Sequence, residues 1–339
     1  MINKVYEKIK EIIKKNYLYF IVYITAIIAI TYPLPYYIYN GGGIINVDNR
    51  IKIENSYKSK GSFNLSYVSE LKATLPTYLL AQILPDWDII KMEEMTLNEE
   101  ESDEDIYTRD RFFLEDANKN AIQTAYQRAG KTFNITEKKN YIIYIDSQAK
   151  TNAKIGDQLL KVDNQSITNI SDLTLYIAQK KIGEELQLLV KRKNKKVTCY
   201  AQILEIDNSK KIGFSFQENY EYETNPNVEL TFSKNESGPS GGLLLSLAIY
   251  NHLVEEDITK GLKIAGTGTI DQNGNVGSIG GVKYKLKGAV KNNADIFLVP
   301  SGENYQEAIA HQQQHKYKIK IIGVSTFEEA LQELQKMSK

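Results

Sequence analysis

The 339-residue chain has little of what most catalytic and metal chemistry draws on. A single cysteine, Cys199, excludes an internal disulfide framework and any multi-cysteine zinc or iron–sulfur cluster. Three histidines, His252, His311 and His315, form no metal-ligand motif; the last two stand four residues apart in a polar HQQQH stretch that reads as a solvated helix face. No metal and no cofactor are expected, and catalysis would have to do without imidazole. Lys plus Arg and Asp plus Glu each number 42, so net charge is zero and no bulk electrostatic case for nucleic acid exists. A phosphate-cradling loop is missing too. Ala129 to Thr132 reads AGKT, but the first glycine of G-x-x-x-x-G-K-[ST] would fall on Ala125, in a stretch that looks helical, so ATP is not an expected partner. With hydrophobic residues at 42% and charged ones at 25%, the composition is that of a folded chain, of about two domains by length.

One long apolar run is present. Tyr17 to Tyr39 spans 23 residues, and no charge occurs between Lys15 and Asp48. As a helix it would be about 35 Å long at 1.5 Å per residue, enough to cross a hydrocarbon core of about 30 Å. Tyrosines cluster at both ends, and the preceding flank carries Lys4, Lys8, Lys10, Lys14 and Lys15. The expected arrangement is a cytoplasmic tail (1–16), a single lipid-bilayer span (17–39) and an extracellular body, because positive charge stays inside. A cleaved signal is disfavoured, since Tyr-Pro-Leu-Pro-Tyr-Tyr offers no small-residue cleavage site.

In the exported region 44–135, SFNLSY (62–67) alternates as a strand does. The acidic stretch EEMTLNEEESDED (93–105) reads as solvated surface, with no calcium-loop spacing. From 136 to 206 the pattern is strand, turn and strand, with a hairpin about the turn Lys193–Lys195. Gly156-Asp157-Gln158-Leu159-Leu160-Lys161-Val162-Asp163 resembles the G-D-x-I-x-x-V-[ND]-G strand of PDZ domains. The resemblance implies a groove that takes an extended peptide as an added strand, with Tyr141, Ile142 and Ile143 as groove candidates. The glycine-containing loop that the family places before its first strand has no counterpart in Asn140–Ile143.

Residues 207–339 alternate strands and helices, an α/β (α+β) pattern. Within them Ser240 stands in Glu236-Ser237-Gly238-Pro239-Ser240-Gly241-Gly242, between a strand and an apolar helix start, where unpaired N–H groups and the positive helix end can stabilise an oxyanion. Gly238, Pro239 and Gly241 are the backbone candidates for that role. A serine nucleophile needs a base, and the candidate is Lys283 in Gly280-Gly281-Val282-Lys283-Tyr284-Lys285, placed three residues from Leu286 on the apolar side with Lys285 offset from it. Lysine acts as a base only when burial lowers its pKa.

ESGPSGGL (236–243), GTGTI (266–270) and GSIGGVK (277–283) resemble, in order and spacing, the proteolytic domain of Lon-type serine proteases, peptidase family S16. With an anchor, a PDZ-like domain and no ATPase module, the chain looks like the membrane-anchored, ATP-independent Lon-like proteases of YlbL or SdrC type. The resemblance implies Ser240 as nucleophile, Lys283 as general base and Thr267 as the hydroxyl that positions the amine. Ser237 stands where Lon often has an acidic residue, and Thr269 where a glutamate is usual. The expectation is a serine endopeptidase acting on exported or unfolded polypeptides through a Ser-Lys dyad, with homo-oligomerisation left open. The alternative is a non-catalytic PDZ adaptor or scaffold at the cell surface.

Overall fold

The computed structural model describes residues 2–98, 101–167 and 169–337. The chain divides into two compact units, residues 1–41 with 69–94 and residues 42–68 with 95–339.

The first unit holds the N-terminal helix Ile2–Thr31, which kinks at Asn16 (φ −119°, ψ 19°), where the side-chain amide donates to the Ile12 carbonyl at 3.0 Å. Its stretch Val5–Thr31 is long and apolar enough to cross a membrane by length and composition, and none of it is buried. The helix stops at Thr31, short of the expected Tyr39. Proline disfavours helical backbone in the residue before it and has no N–H to donate, so Pro33 and Pro35 turn the chain into strand Pro33–Asn46. Tyr36 to Asn40 then pair antiparallel with Trp87–Lys91. A short helix, Leu75–Ala81, lies between this strand and the preceding Ser62–Thr74, its start fixed by a capping box of Thr74 and Thr77. Ile38, Ala73 and Ala81 form the centre of a small core with Leu34, Tyr36, Tyr78 and Trp87 around it.

The second unit contains a β-rich layer and an α/β layer. In the β-rich part the sheet runs, edge to edge, Phe214–Asn225, Thr132–Ile145, Gln158–Val162, Glu185–Arg192, Lys195–Gln202. Helix Ile170–Ala178 closes it over a core that includes Ile142, Leu159, Leu173, Ile177 and Leu188. The expected hairpin turn is present, with Lys193 (φ 45°) and Asn194 (φ 67°) in the left-handed conformation that suits a two-residue strand connection. Phe214–Asn225 pairs with Thr132–Ile145 along its whole length, so a domain limit at 206 would cut off an integral edge strand.

In the α/β part, Lys320–Val324, Ile296–Pro300, Lys263–Gly266 and the start of Ser62–Thr74 lie side by side and parallel. The sequence division at 207 is corrected here, because this sheet takes its fourth strand from the 44–135 region. Ile51–Ile53 of that region likewise pairs with Val228–Leu230. Side chains alternate across the sheet. Phe63, Ile264, Leu298 and Ile322 pack on one face with helix Gly242–Leu253, whereas Ala265, Phe297 and Val299 pack on the other with helix Val282–Lys291 and with Ala308 of helix Glu303–His315.

The AGKT stretch follows the long helix Asp103–Arg128 and leads into a strand, the reverse of the strand-to-helix order that a phosphate loop requires. Within the acidic stretch Glu101 is buried and paired with Arg109, against the expectation of a wholly solvated face; Glu99 and Glu100 lie outside the described residues.

Candidate active site

Two of the three residues expected to act together are brought together by the parallel sheet. Strand Lys263–Gly266 ends at Thr267, which is fully buried, and the loop carrying Ser240 is stitched to this strand end. The Thr267 hydroxyl donates to the Ser240 carbonyl at 3.0 Å and the Gly268 N–H donates to the same oxygen at 2.8 Å. The Leu243 N–H donates to the Gly268 carbonyl at 3.0 Å, tying the first turn of helix Gly242–Leu253 to the same point. Ser240 is half-buried at the entrance of that helix, whose remaining residues pack almost wholly in the core. Glu236, four residues before it, is held by Arg50, with one guanidinium N–H donating at 2.7 Å. The Glu236 carbonyl accepts from Arg111 at 2.9 Å.

The amine beside Thr267 belongs to Lys285, and here the expectation of Lys283 is corrected. Lys285 is only 5% exposed, and its Nζ donates to the Thr267 hydroxyl at 3.2 Å. Burial pushes its pKa down from the usual 10.5 to about 8, with no charged neighbour contributing. Lys283 is half-buried and carries its ammonium 4.9 Å from the Tyr284 ring centroid. The difference follows from the helix register. Helix Val282–Lys291 buries Val282, Leu286 and Ala289, and position 285 falls three after the first of these and four before the last, in the middle of the inward stripe. Lys283 is a turn-start residue outside that stripe. The helix begins from Gly281 in left-handed backbone (φ 70°), where a Cβ would approach Val68 to 2.8 Å, so glycine permits both the turn and the close seating of the helix on strand Ser62–Thr74. The face of the sheet beneath it carries Ala265 and Thr267 and, by alternation from Leu65, Ser66. Ser66 is fully buried, and its hydroxyl has no hydrogen-bond partner among the described residues.

The expected oxyanion donors separate in the same way. The Gly238 N–H donates to the Asp110 carbonyl at 3.1 Å, and Pro239 has no N–H. Of the group Gly238, Pro239 and Gly241, only Gly241 keeps an N–H with no such partner among the described residues.

The peptide-groove candidates are also displaced. Ile142 is fully buried in the β-rich core, Ile143 is nearly so, and the Tyr141 ring packs on Phe112 at 4.7 Å. None of the three lines the open cavity of about 440 Å³ in this domain. That cavity lies between helix Ile170–Ala178, through Leu173 and Ile177, and edge strand Phe214–Asn225, through Phe214 and Phe216, with Tyr144 at its margin. Its glycine-containing loop is Ile212-Gly213-Phe214, which enters the edge strand Phe214–Asn225 late in the chain and does not precede the first strand; the Asp146 N–H donates to the Gly213 carbonyl at 2.7 Å. Gly213 has φ 73°, and a Cβ there would come within 2.8 Å of the Ala149 Cβ.

Residues 231–336 match the family model described as the Lon protease (S16) C-terminal proteolytic domain. The chain carries a Lon-type proteolytic domain. Residues 127–203 match a PDZ domain, and the whole is a mixed α/β protein with an apolar N-terminal helix, a PDZ domain and a C-terminal Lon-type domain. The similar curated proteins include a Lon protease of Mesomycoplasma hyopneumoniae (strain 232), 34% identical over 94 residues, which are 28% of this chain and 10% of that protein. Lon protease 2 of Bacillus subtilis (strain 168) is 39% identical over 99 residues, 29% of this chain and 16% of that protein. The chain therefore spans only 10% and 16% of these relatives. Among solved structures, the PDZ domain of an SdrC-like protein from Listeria monocytogenes aligns at 18% identity over 24% of this chain and 92% of that one, with a TM-score of 0.23. The corresponding domain from Listeria innocua aligns at 22% identity over 23% of this chain and 92% of that one, with a TM-score of 0.22. The Lon-type domain match supports a serine peptidase.

Proposed function

We propose that the chain is a membrane-anchored serine endopeptidase that works without ATP through a dyad of Ser240 and Lys285. The observation that carries this reading is the buried Lys285 amine bonded to Thr267, whose own hydroxyl bonds the carbonyl of Ser240. Thr267 accepts from the amine and donates to the Ser240 carbonyl, so it ties the amine to the loop that carries the serine. In this mechanism neutral Lys285 takes the Ser240 proton as the oxygen attacks the scissile carbonyl, and returns it to the leaving amine. The N–H groups of Ser240 and Gly241 at the helix entrance receive the oxyanion. Water then releases the acyl-enzyme.

The PDZ cavity supplies the substrate-holding half of the reading. Phe214–Asn225 is the outer strand of its sheet, so an extended segment can add to its free edge with side chains resting between Phe216 and Leu173. Extended or unfolded polypeptide is then the substrate class. The apolar helix Val5–Thr31 serves as the bilayer anchor, with the lysine-rich end in the cytoplasm and the remainder outside.

The test is hydrolysis of casein by the full chain in vesicles, without nucleotide. Ser240→Ala should abolish cleavage. Wild-type kcat/KM should climb between pH 6 and 9 with its midpoint near 8, because the amine is a base only after it loses its proton and burial sets that loss near 8. A flat profile over this range, or full activity in Ser240→Ala, contradicts the reading.

A further inference from the structure

The loop between strands Ser62–Thr74 and Trp87–Lys91 has a surface that water does not favour. From Leu75 to Pro85 the sequence LPTYLLAQILP carries no charge. Leu75, Leu79 and Ile83 follow one another at four-residue spacing, with Leu80 and Leu84 beside them, so helix Leu75–Ala81 and its continuation present one aliphatic stripe. These five side chains are 43%, 51%, 77%, 47% and 37% exposed in that order. The opposite side of the same helix is where Ala81 and Tyr78 pack into the small core of this unit, so the outward direction of the stripe is fixed by folding.

Its position in the unit identifies what covers it. The Tyr78 ring lies 5.0 Å from that of Tyr36, and Leu34 and Tyr36 share the core with Ala81; both come within five residues of Thr31, where the N-terminal helix ends. The Leu75–Ala81 helix also contacts the N-terminal helix itself. The stripe is thus continuous with the exit end of the candidate span Val5–Thr31, beside exposed Tyr32, at the level where aromatic residues meet lipid headgroups. A short amphipathic segment at that level lies in the interface with its apolar side among the acyl chains.

We propose that residues 75–84 form a second membrane contact, in which Leu75, Leu79, Leu80, Ile83 and Leu84 enter the headgroup–acyl boundary of the bilayer that the N-terminal helix crosses. This rests on the anchor reading given above and is independent of the catalytic one.

The test uses the full chain in phosphatidylcholine–phosphatidylglycerol vesicles, labelled with an environment-sensitive fluorophore on single introduced thiols; native Cys199 is buried. Leu79→Cys and Ile83→Cys report the stripe, Ile24→Cys the span and Leu175→Cys a solvent-exposed helix of the PDZ domain. Labels at 79 and 83 should be blue-shifted, quenched by spin-labelled lipid and protected from aqueous iodide, as at 24, while 175 behaves oppositely. Iodide access at 79 and 83 equal to that at 175 overturns the proposal. Protection from iodide without lipid quenching also overturns it, because protein then covers the stripe. Loss of lipid quenching at 24 sinks the anchor and this contact together, whereas loss at 79 and 83 alone sinks only the contact. The unaltered chain gives a second readout. Trp87, the sole tryptophan, donates its backbone N–H to the Leu84 carbonyl at 3.2 Å, which holds it next to the stripe, and brominated lipid should quench its indole.

Discussion

At the scale of the residue, the decisive feature is an amine kept from water. Transferring an ammonium into an apolar layer is costly, so Lys285 gives up its proton more readily than an exposed lysine does. That cost is borne by the fold. With a pKa near 8 in the folded chain and 10.5 as the reference, the penalty is fully present below pH 8, declines from 8 to 10.5 and vanishes above. Lys285→Met keeps the volume and removes the charge, so at pH 7 it should stabilise the Lon-type domain, by up to about 3 kcal/mol at 1.36 kcal/mol per pKa unit. Thermal unfolding followed by circular dichroism should show the gain at pH 7 and its disappearance by pH 10.5; a gain that does not change with pH would mean the amine is solvated. Thr267 differs in kind, since its hydroxyl bridges two partners. Thr267→Val should lower kcat about tenfold or more with little change in KM, and Thr267→Ser should restore most of the loss in a peptide-hydrolysis assay.

Among the elements, helix Val282–Lys291 shows what the sequence could and could not convey. Its apolar positions 282, 286 and 289 were visible, and so was the glycine pair that starts it. Position 285 lies between them on the inward stripe, yet a lysine there contradicts the pattern, and a pattern reading assigns it to solvent. The contradiction was itself the signal, because local rules fail at functional positions. Flanking glycines single out Ser240, and Thr267 comes with the likeness of GTGTI to the Lon segment, whereas the fate of the oxyanion candidates depends on a long-range bond from Gly238 to Asp110 that no local pattern encodes. The peptide groove was misplaced for a similar reason. Its walls come from residues 173–177 and 212–216, and only the closed sheet sets them face to face. Leu173→Asp puts a charge into that cavity and should raise KM for casein roughly tenfold, and by more than it raises KM for a short peptide; equal effects on both substrates would remove the groove from substrate holding.

For the molecule as a whole, the sequence order of apolar helix, PDZ domain and Lon-type domain corresponds to what is found, but the limits between them do not. The parallel sheet recruits Ser62–Thr74 from the region 44–135, where SFNLSY reads as a strand but its partner cannot be read, and the long helix Asp103–Arg128 packs on helix Gly242–Leu253. Such contacts join residues far apart in the sequence, and periodicity is blind to them. The apolar helix was legible from its lack of charge, yet the last third of the expected 17–39 stretch proved to be strand, because Pro33 ends the helix and Tyr36–Asn40 find partners in Trp87–Lys91. The most direct measurement of the central claim compares two conservative substitutions two residues apart. Arginine cannot act as a base, so Lys285→Arg should lower kcat/KM for casein by at least about a hundredfold, to the level of Ser240→Ala, while Lys283→Arg stays within a few-fold of wild type. Wild-type turnover in Lys285→Arg, or loss of it in Lys283→Arg alone, would contradict the account.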